Sequence, residues 1–266
     1  MRTIAILTVA MIWGVAPVRA QAPLDLTTSR LVDLTHPFDG QTLYWPTSPS
    51  AFELTTLSAG PTPGGYYYSS YKLCTPEHGG THLDAPVHFS QAGRSTAELP
   101  LRQLMAPAAV IDVTRQAAAD AAYRVTRADV EAFEAAHGRI APGTIVLVRT
   151  GWSRFWPDRK RYFGDDTPGD VSKLRFPGYG EDAARLLVNE RRVAVLGIDT
   201  ASIDYGASTD FIAHRIGAAA NVVNLENLAA LGDLPPTGAL VIALPMKIAG
   251  GSGGPVRVVA VLPPQR

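Results

Sequence analysis

Short apolar runs rich in valine and isoleucine recur along this chain, separated by polar stretches that contain glycine and proline. Runs of this length and composition are typical of strands that are buried on both faces. The pattern predicts five such strands, at residues 109–114, 144–150, 193–199, 239–247 and 256–262.

Two stretches between these runs carry apolar residues at helical spacing. The first begins at Thr126, places Phe133 and Ala136 on its core face and stops at Gly138; the second covers residues 181–192. A threonine before such a pattern and a glycine after it are usual helix caps. Strands that alternate with helices predict an α/β domain.

Glycine and proline mark the connections. Residues 58–65 and 157–180 are predicted to be long surface loops, and such loops often cover binding sites. Residues 250–254 read Gly-Gly-Ser-Gly-Gly and predict a tight turn between two strands. A phosphate-binding loop is not indicated, because no lysine of the required kind and no helix start follow them.

The N-terminus has the pattern of a secretory signal. Arg2 precedes an apolar run over residues 4–15, and small residues precede Gln21 at the positions that a signal peptidase reads. We therefore expect residues 1–20 to be removed, with the mature protein in the periplasm or secreted. The apolar run is shorter than the ~20 residues needed to cross a bilayer, so no stable membrane insertion is expected after cleavage. An uncleaved N-terminal anchor is the alternative.

Composition narrows the class of protein. The 266 residues are 46% hydrophobic and 18% charged, as in ordinary globular proteins, and the formal net charge is zero. With no basic patch, a nucleic-acid partner is not expected. The lone Cys74 cannot form an internal disulfide. We interpret it as a buried structural thiol, although its position four residues before His78 also permits a role near a metal.

Three of the six histidines and one aspartate lie within eleven residues, as His78, His82, Asp84 and His88. Imidazole and carboxylate groups are ligands for a divalent metal such as Zn²⁺ or Mn²⁺. Three ligands, His78, His82 and Asp84, would leave room for water, which is the catalytic pattern. His88 could complete this shell, bind a second ion bridged by Asp84, or hydrogen-bond the bound water.

A second group of candidates follows the predicted strand at 193–199. The stretch 197–206 includes Ser202, which could donate a hydrogen bond to a substrate oxygen, and lies where an α/β strand opens into a loop. His214 is either a core histidine or a catalytic one. Glu226 lies in an apolar run, where a buried carboxylate needs a cation, a salt bridge or a cap as its partner.

The pattern HxGTHxDxPxH over residues 78–88 resembles the signature of the metal-dependent cyclase family of hydrolases, which includes bacterial kynurenine formamidase and isatin hydrolase. The resemblance begins at residues 32–36 and ends near residue 257. It implies that residues 21–266 form a single α/β domain with a mixed twisted sheet flanked by helices, the β/β/α fold of the family. It also implies a homodimer or a higher homo-oligomer.

The resemblance also assigns roles. Residues of the family that bind one or two metal ions, Mn²⁺ or Zn²⁺, match His78, His82, Asp84, His88 and Glu226. The residue that matches His214 is the acid or base of the reaction, and His88 could share that role. The implied chemistry is hydrolysis of a non-peptide C–N bond.

The chain length and the runs 150–152 and 199–206 resemble the isatin-hydrolase side of the family. We therefore expect a small aromatic amide as substrate, opened as isatin is opened to isatinate, with Trp45, Trp152 and Ser202 as its contacts. Three alternatives remain open: an aryl formamidase acting on N-formylkynurenine, the opening of a lactone or cyclic imide, and a non-enzymatic periplasmic metal-binding protein.

Overall fold

The centre of the molecule is built mainly of β-strands. This computed structural model describes residues 26–263. The predicted signal segment and Gln21 lie outside the described residues. Within the described part there are twelve strands: β1 Arg30–Asp33, β2 Glu53–Pro61, β3 Tyr67–Cys74, β4 His82–Asp84, β5 Met105–Asp112, β6 Arg124–Val125, β7 Ile145–Arg149, β8 Gly178–Tyr179, β9 Val195–Ile198, β10 Val223–Glu226, β11 Thr237–Pro245 and β12 Gly253–Leu262.

Six α-helices occur in the same range: α1 Leu101–Leu104, α2 Thr114–Ala119, α3 Arg127–His137, α4 Arg159–Phe163, α5 Glu181–Arg185 and α6 Ile212–Ala219. A π-helical turn at Leu186–Glu190 continues α5. None of the helices between residues 26 and 263 has both the length and the apolar character needed to cross a membrane.

Seven of the strands close into a barrel in the order β4-β12-β11-β5-β7-β9-β10, and β1 adds to β12. The strands β5, β7, β9 and β10 run parallel, whereas β4, β11 and β12 pair antiparallel with their neighbours. Closure depends on β12, whose first residues pair with β4 and whose following residues pair with β11. The predicted mixed sheet is confirmed, and its closure is an additional finding.

Alternation along the parallel strands divides the core into two parts. Ile145 and Leu147 of β7 join a cluster that includes residues from β4, β10 and β12, inside the closed sheet. Val146 and Val148 face the other way and pack with residues of α3, α5 and α6. Since successive side chains of a strand point to opposite faces, a continuous apolar run is what a sheet covered on both faces requires.

The five predicted strands all occur, with shifted ends. β5 ends at Asp112 because its side chain accepts hydrogen bonds from the backbone N–H and hydroxyl of Thr114, where α2 begins. The predicted helix at Thr126 is capped there, and Gly138 follows its last residue. Ala136 is exposed rather than on the core face, because residues 135–139 at the end of α3 all face solvent.

The predicted loop at 58–65 is wrong. β2 and β3 form an antiparallel hairpin of their own, in which Leu54 lies opposite Leu73. Pro63, Gly64 and Gly65 form its turn, whereas Gly60 and Pro61 belong to β2 and pair with Tyr68 and Tyr67. Cys74 ends β3 and is exposed, so the interpretation as a buried thiol is also wrong. The predicted loop at 157–180 contains α4 and β8 and contributes buried aromatic residues to the core.

Candidate metal centre

The pairing of the short strands β4 and β10 with each other, and of β4 with the start of β12, assembles the first part of the site. Antiparallel pairing of β4 with β10 sets Glu226 opposite His82 and Asn224 opposite Asp84. On its other edge β4 pairs with β12, which sets Gly253 opposite Asp84. Because residues directly opposite each other on antiparallel strands are close neighbours, this register brings a carboxylate and an imidazole together from distant parts of the chain.

One group of possible ligand atoms consists of His78, His82 and Asp84. His78 Nδ1 lies 2.6 Å from Asp84 Oδ1, and His82 Nε2 lies 3.2 Å from the same oxygen. His82 Nε2 is also 3.5 Å from Glu226 Oε2. The ligand atoms of the group lie within 4.8 Å of one another, which is close enough for one ion to contact all three.

A second group consists of Asp84, His214 and Glu226. His214 extends from α6, and its Nε2 lies 3.1 Å from Asp84 Oδ2 and 3.1 Å from Glu226 Oε1. Asp84 therefore directs one carboxylate oxygen toward each group. A bridging Asp84 was one of the alternatives that the sequence left open, with His88 beside the second ion; in the structure His214 and Glu226 are the other members of the second group.

The outer nitrogens of two of these rings are held by other acceptors. His82 Nδ1 donates to the carbonyl oxygen of Gly80 at 3.0 Å. His214 Nδ1 lies 2.6 Å from Asp204 Oδ2, and Asp204 also accepts from the backbone N–H groups of Ala213 and His214. A ring fixed in this way directs its other nitrogen at the site. Asp204 lies in the stretch 197–206, which contains candidate site residues, but its contact with His214 was not predicted.

Charge and burial indicate that this place needs a cation. Asp84 is 2% exposed and Glu226 is 4% exposed. Burial favours a neutral ring, but Asp84 and Glu226 raise the pKa of His82 to about 9. The pKa of His214 is also raised well above its usual value, against burial, by Asp204, Asp84 and Glu226. Imidazole nitrogens and carboxylate oxygens in this arrangement suit a divalent metal.

His88 lies beside both groups without belonging to either. Its ring stacks on that of His78, with centroids 3.8 Å apart, and its centroid lies 6.0 Å from that of His214. Burial lowers the pKa of His88 to about 4, so the ring is neutral near pH 7. Among the described residues, the ligand groups do not include it. Of the roles left open for His88, metal ligand and proton carrier among them, the structure shows only that its ring lies next to His78.

A cavity of about 410 Å³ opens onto these residues. Aromatic side chains line it, among them Trp45, Phe89, Phe163 and Phe211, and Ser202 contributes a hydroxyl. Its volume is within the usual range for small-ligand pockets. The predicted contacts Trp45 and Ser202 therefore lie on the wall of this cavity. Phe89 and Phe211 were not predicted, since nothing in their local sequence marks them.

Trp152 lies away from the cavity, so its predicted contact with the substrate is corrected. Its side chain is buried, its Nε1 donates to the backbone oxygen of Tyr162 at 2.8 Å, and it is not among the described residues that line the cavity. The hydrogen bond holds Trp152 in an aromatic cluster with Tyr162 and Phe163, and of these three only Phe163 is among the described residues that line the cavity.

Asn227 links that cluster to the site and was also missed. Its amide donates to the carbonyl oxygen of Gly80 at 2.7 Å and accepts from the Tyr162 hydroxyl at 2.9 Å. Asn227 has a φ of +54°, a conformation that asparagine tolerates better than most residues. In the sequence, only its position directly after Glu226 could have indicated that Asn227 lies near the site.

Comparison with known proteins gives consistent results. Residues 32–205 match a protein-family model described as "Putative cyclase". The isatin hydrolase of Roseibium aggregatum is 35% identical over 207 residues, which are 75% of this chain and 77% of that protein. The kynurenine formamidase of Salinibacter ruber is 31% identical over 229 residues, which are 86% of this chain and 96% of that protein.

The fold is shared with a solved structure. Isatin hydrolase A from Labrenzia aggregata, bound to benzyl benzoate, superposes with a TM-score of 0.81 at 32% sequence identity. The match covers 89% of this chain and 94% of that one. The whole described barrel, and not only the histidine cluster, is therefore similar to that protein.

Proposed function

The chain belongs to the cyclase family, and from that premise we propose that it is a metal-dependent hydrolase that opens the C–N bond of a small cyclic aromatic amide such as isatin. The observation that carries the proposal is the meeting of imidazoles and buried carboxylates at an aromatic-walled cavity of about 410 Å³. The similarity to isatin hydrolases along most of the chain supports the choice of substrate class.

His78, His82 and Asp84 would hold one divalent ion, Mn²⁺ or Zn²⁺. Asp84 and Glu226 would help to hold a second ion. Such an ion supplies polarisation of the substrate carbonyl and lowers the pKa of bound water toward neutral. The donor set favours an ion that accepts both nitrogen and oxygen ligands, which agrees with either metal.

Proton transfer falls to His88 and His214, the imidazoles on the cavity wall outside the first ligand group. One takes the proton of the attacking water, and one returns a proton to the departing nitrogen, since amide cleavage requires both. Asp204 holds His214 through Nδ1, which leaves Nε2 on the side of the site. Among residues 26–263, no carboxylate is hydrogen-bonded to His88, which stacks on His78 at the cavity wall.

The substrate ring would lie between the aromatic walls of the cavity, against Trp45 and Phe211. Ser202 Oγ accepts a hydrogen bond from the backbone N–H of Asp204 at 3.2 Å. Its own hydrogen can therefore be donated to a carbonyl oxygen of the substrate.

The test is hydrolysis of isatin and of N-formylkynurenine by Mn²⁺- or Zn²⁺-loaded protein, with His82→Ala as the blank. We expect metal-dependent opening of isatin and much slower action on the formamide. The reverse preference would favour the second candidate, an aryl formamidase, which the similarity to kynurenine formamidases over 86% of this chain supports. Bound metal without turnover of any amide, imide or lactone would favour a metal-binding protein and overturn the proposal.

We also propose that the protein is exported, cleaved before Gln21 and assembled as a homodimer or larger homo-oligomer. The N-terminal charge and apolar pattern supports export. Mass spectrometry of protein from the periplasm should give a chain that starts at Gln21, and an intact Met1 would contradict cleavage. Light scattering after size exclusion measures the assembly, and a monomer mass would contradict it.

A further inference from the structure

The glycine-rich turn at residues 250–254 places one side chain against the candidate metal centre. Ser252 lies between Glu77 and His78, although it is more than 170 residues away from both in sequence. Its backbone N–H and its hydroxyl both donate to Glu77 Oε2, at 3.1 and 2.5 Å. The same hydroxyl oxygen lies 2.9 Å from His78 Nε2.

The neighbouring glycines make this approach possible. A Cβ atom on Gly251 would lie 2.9 Å from Glu77 Oε1 and 2.8 Å from Thr96 Oγ1. A Cβ atom on Gly253 would lie 2.5 Å from His78 Cε1. Any other residue at either position would push the turn away from Glu77 and His78, so the glycines have a structural reason beyond the turn itself.

Backbone hydrogen bonds fix the turn on both sides of Ser252. The carbonyl oxygen of Ser252 accepts from the N–H of Ala85 at 2.8 Å, directly after Asp84. The carbonyl oxygen of Gly251 accepts from the N–H of Thr96 at 3.0 Å. Ser252 is therefore held in place by its own backbone as well as by Glu77.

The direction of these hydrogen bonds determines which nitrogen of His78 carries hydrogen. A serine hydroxyl has one hydrogen, and a carboxylate only accepts. The Ser252 hydrogen therefore goes to Glu77, and Ser252 Oγ must accept from His78 Nε2. Nδ1, which lies 2.6 Å from Asp84 Oδ1, is then the nitrogen that faces the ligand group.

We propose that Glu77 and Ser252 are positioning residues that hold His78 with hydrogen on Nε2, so that Nδ1 is its metal-binding atom. This inference rests on the proposed metal-dependent function and names residues outside the ligand set. It gives His78 the arrangement already described for His82 and His214, with the outer nitrogen held and the inner one directed at the site. Such outer contacts orient metal ligands in many proteins.

A different interpretation of the same atoms is a serine-histidine-aspartate triad, since Ser252, His78 and Asp84 are connected in that order. Two observations oppose it. The hydrogen of Ser252 is directed to Glu77, whereas a nucleophilic serine must give its hydrogen to the histidine. Among the described residues that line the cavity, Ser252 is absent, so it does not face the place where a substrate would bind.

The test measures the Zn²⁺ dissociation constant by competition with a chromophoric chelator. Loss of an outer partner of a ligand typically weakens metal binding by ~10–100-fold, and we expect this for Ser252→Ala and for Glu77→Gln. The double variant should lose no more than the larger single loss, because both residues act through one chain of hydrogen bonds. Unchanged dissociation constants, or losses that add in full, would overturn the proposal.

The chain offers a matched control. Ser95 also donates from its backbone N–H and its hydroxyl to a single glutamate oxygen, Glu98 Oε2, at 2.8 and 2.7 Å. The Ser95→Ala and Glu98→Gln variants remove the same kind of pair without an imidazole at its end. We expect their Zn²⁺ dissociation constants to equal that of the wild type. Equal weakening in both pairs would mean a general loss of structure and would contradict a positioning role.

Turnover separates the positioning role from the triad. With saturating Zn²⁺, Ser252→Ala should recover turnover near that of the wild type, because its defect lies in metal binding. A nucleophilic serine would leave turnover reduced by orders of magnitude at every metal concentration. If the wild type itself bound no metal, the proposed function would fail; tight binding by both the wild type and the variants would reject only the positioning role.

Discussion

Two buried aspartates, Asp84 and Asp199, have nearly the same exposure and opposite surroundings. They are 2% and 1% exposed. The oxygens of Asp199 accept from the backbone N–H and hydroxyl of Thr150 and from the backbone N–H groups of Gly151 and Trp152. The oxygens of Asp84 instead face ring nitrogens of His78, His82 and His214.

The difference lies in what the partners can supply. Backbone N–H groups donate, and the Thr150 hydroxyl has a hydrogen to give, so Asp199 is satisfied by the protein alone. An imidazole nitrogen faces a carboxylate favourably only with a proton or a cation between them. Burial raises the pKa of Asp199, whereas at Asp84 the imidazoles overcome burial and hold the pKa well below its usual value. Partner chemistry, rather than burial, thus separates the structural carboxylate from the candidate ligand.

The largest expected effect is that of Asp84→Asn. An amide cannot bridge the two ligand groups as a carboxylate does, so bound metal and metal-dependent turnover should both fall to background. Metal at 100 times its dissociation constant stabilises a protein by about 2.7 kcal/mol, and this gain should vanish in the variant. Thermal unfolding with and without Zn²⁺ measures it, and a variant still stabilised by metal would remove the distinction between the two aspartates.

The His214→Ala variant tests the role of the imidazole that faces Asp84 Oδ2. Loss of a general acid or base reduces rate by ~10²–10⁴-fold, and we expect this loss with the metal content unchanged. Metal analysis of the purified variant, alongside steady-state kinetics, is the measurement. A variant that lost its metal together with its activity would make His214 a ligand rather than a proton carrier.

Asp199→Asn should lower the stability of the protein without changing its metal content. The amide replaces one accepting oxygen with a donor that faces backbone N–H groups. Since an unsatisfied buried donor costs ~1–3 kcal/mol, we expect the free energy of unfolding to fall by about 2–3 kcal/mol. Urea unfolding measures the loss. Metal content should equal that of the wild type, and reduced metal binding would show that Asp199 also supports the centre.

Local spacing made much of the metal centre predictable. His78, His82 and Asp84 lie within seven residues, so their chemistry was visible before any fold was known. Glu226 was recognisable as a carboxylate in an apolar run, and the pairing of β4 with β10 gives the reason for its position. Three of the four parallel strands, β5, β7 and β9, were also predictable, because burial on both faces leaves a continuous apolar run.

Contacts between distant residues were not predictable. Ser252 reaches Glu77 only because β12 pairs with β4, and β4 is too short, at three residues, to leave a periodic pattern. The same pairing closes the barrel, which is why its closure was missed. In the hairpin, proline and glycine were interpreted as a loop, although Gly60 and Pro61 pair with β3 as part of β2.

The smallest expected effect extends the comparison to two tryptophans. Trp152→Phe removes the hydrogen bond from Nε1 to Tyr162 and keeps most of the ring, so stability should fall by about 0.5–1.5 kcal/mol with KM unchanged. Trp45→Phe, the matched change on the cavity wall, should instead alter KM and leave the free energy of unfolding nearly constant. Urea unfolding and steady-state kinetics on both variants measure the pair. An altered KM in Trp152→Phe would show that Trp152, although it does not line the cavity, also affects the shape of the cavity wall.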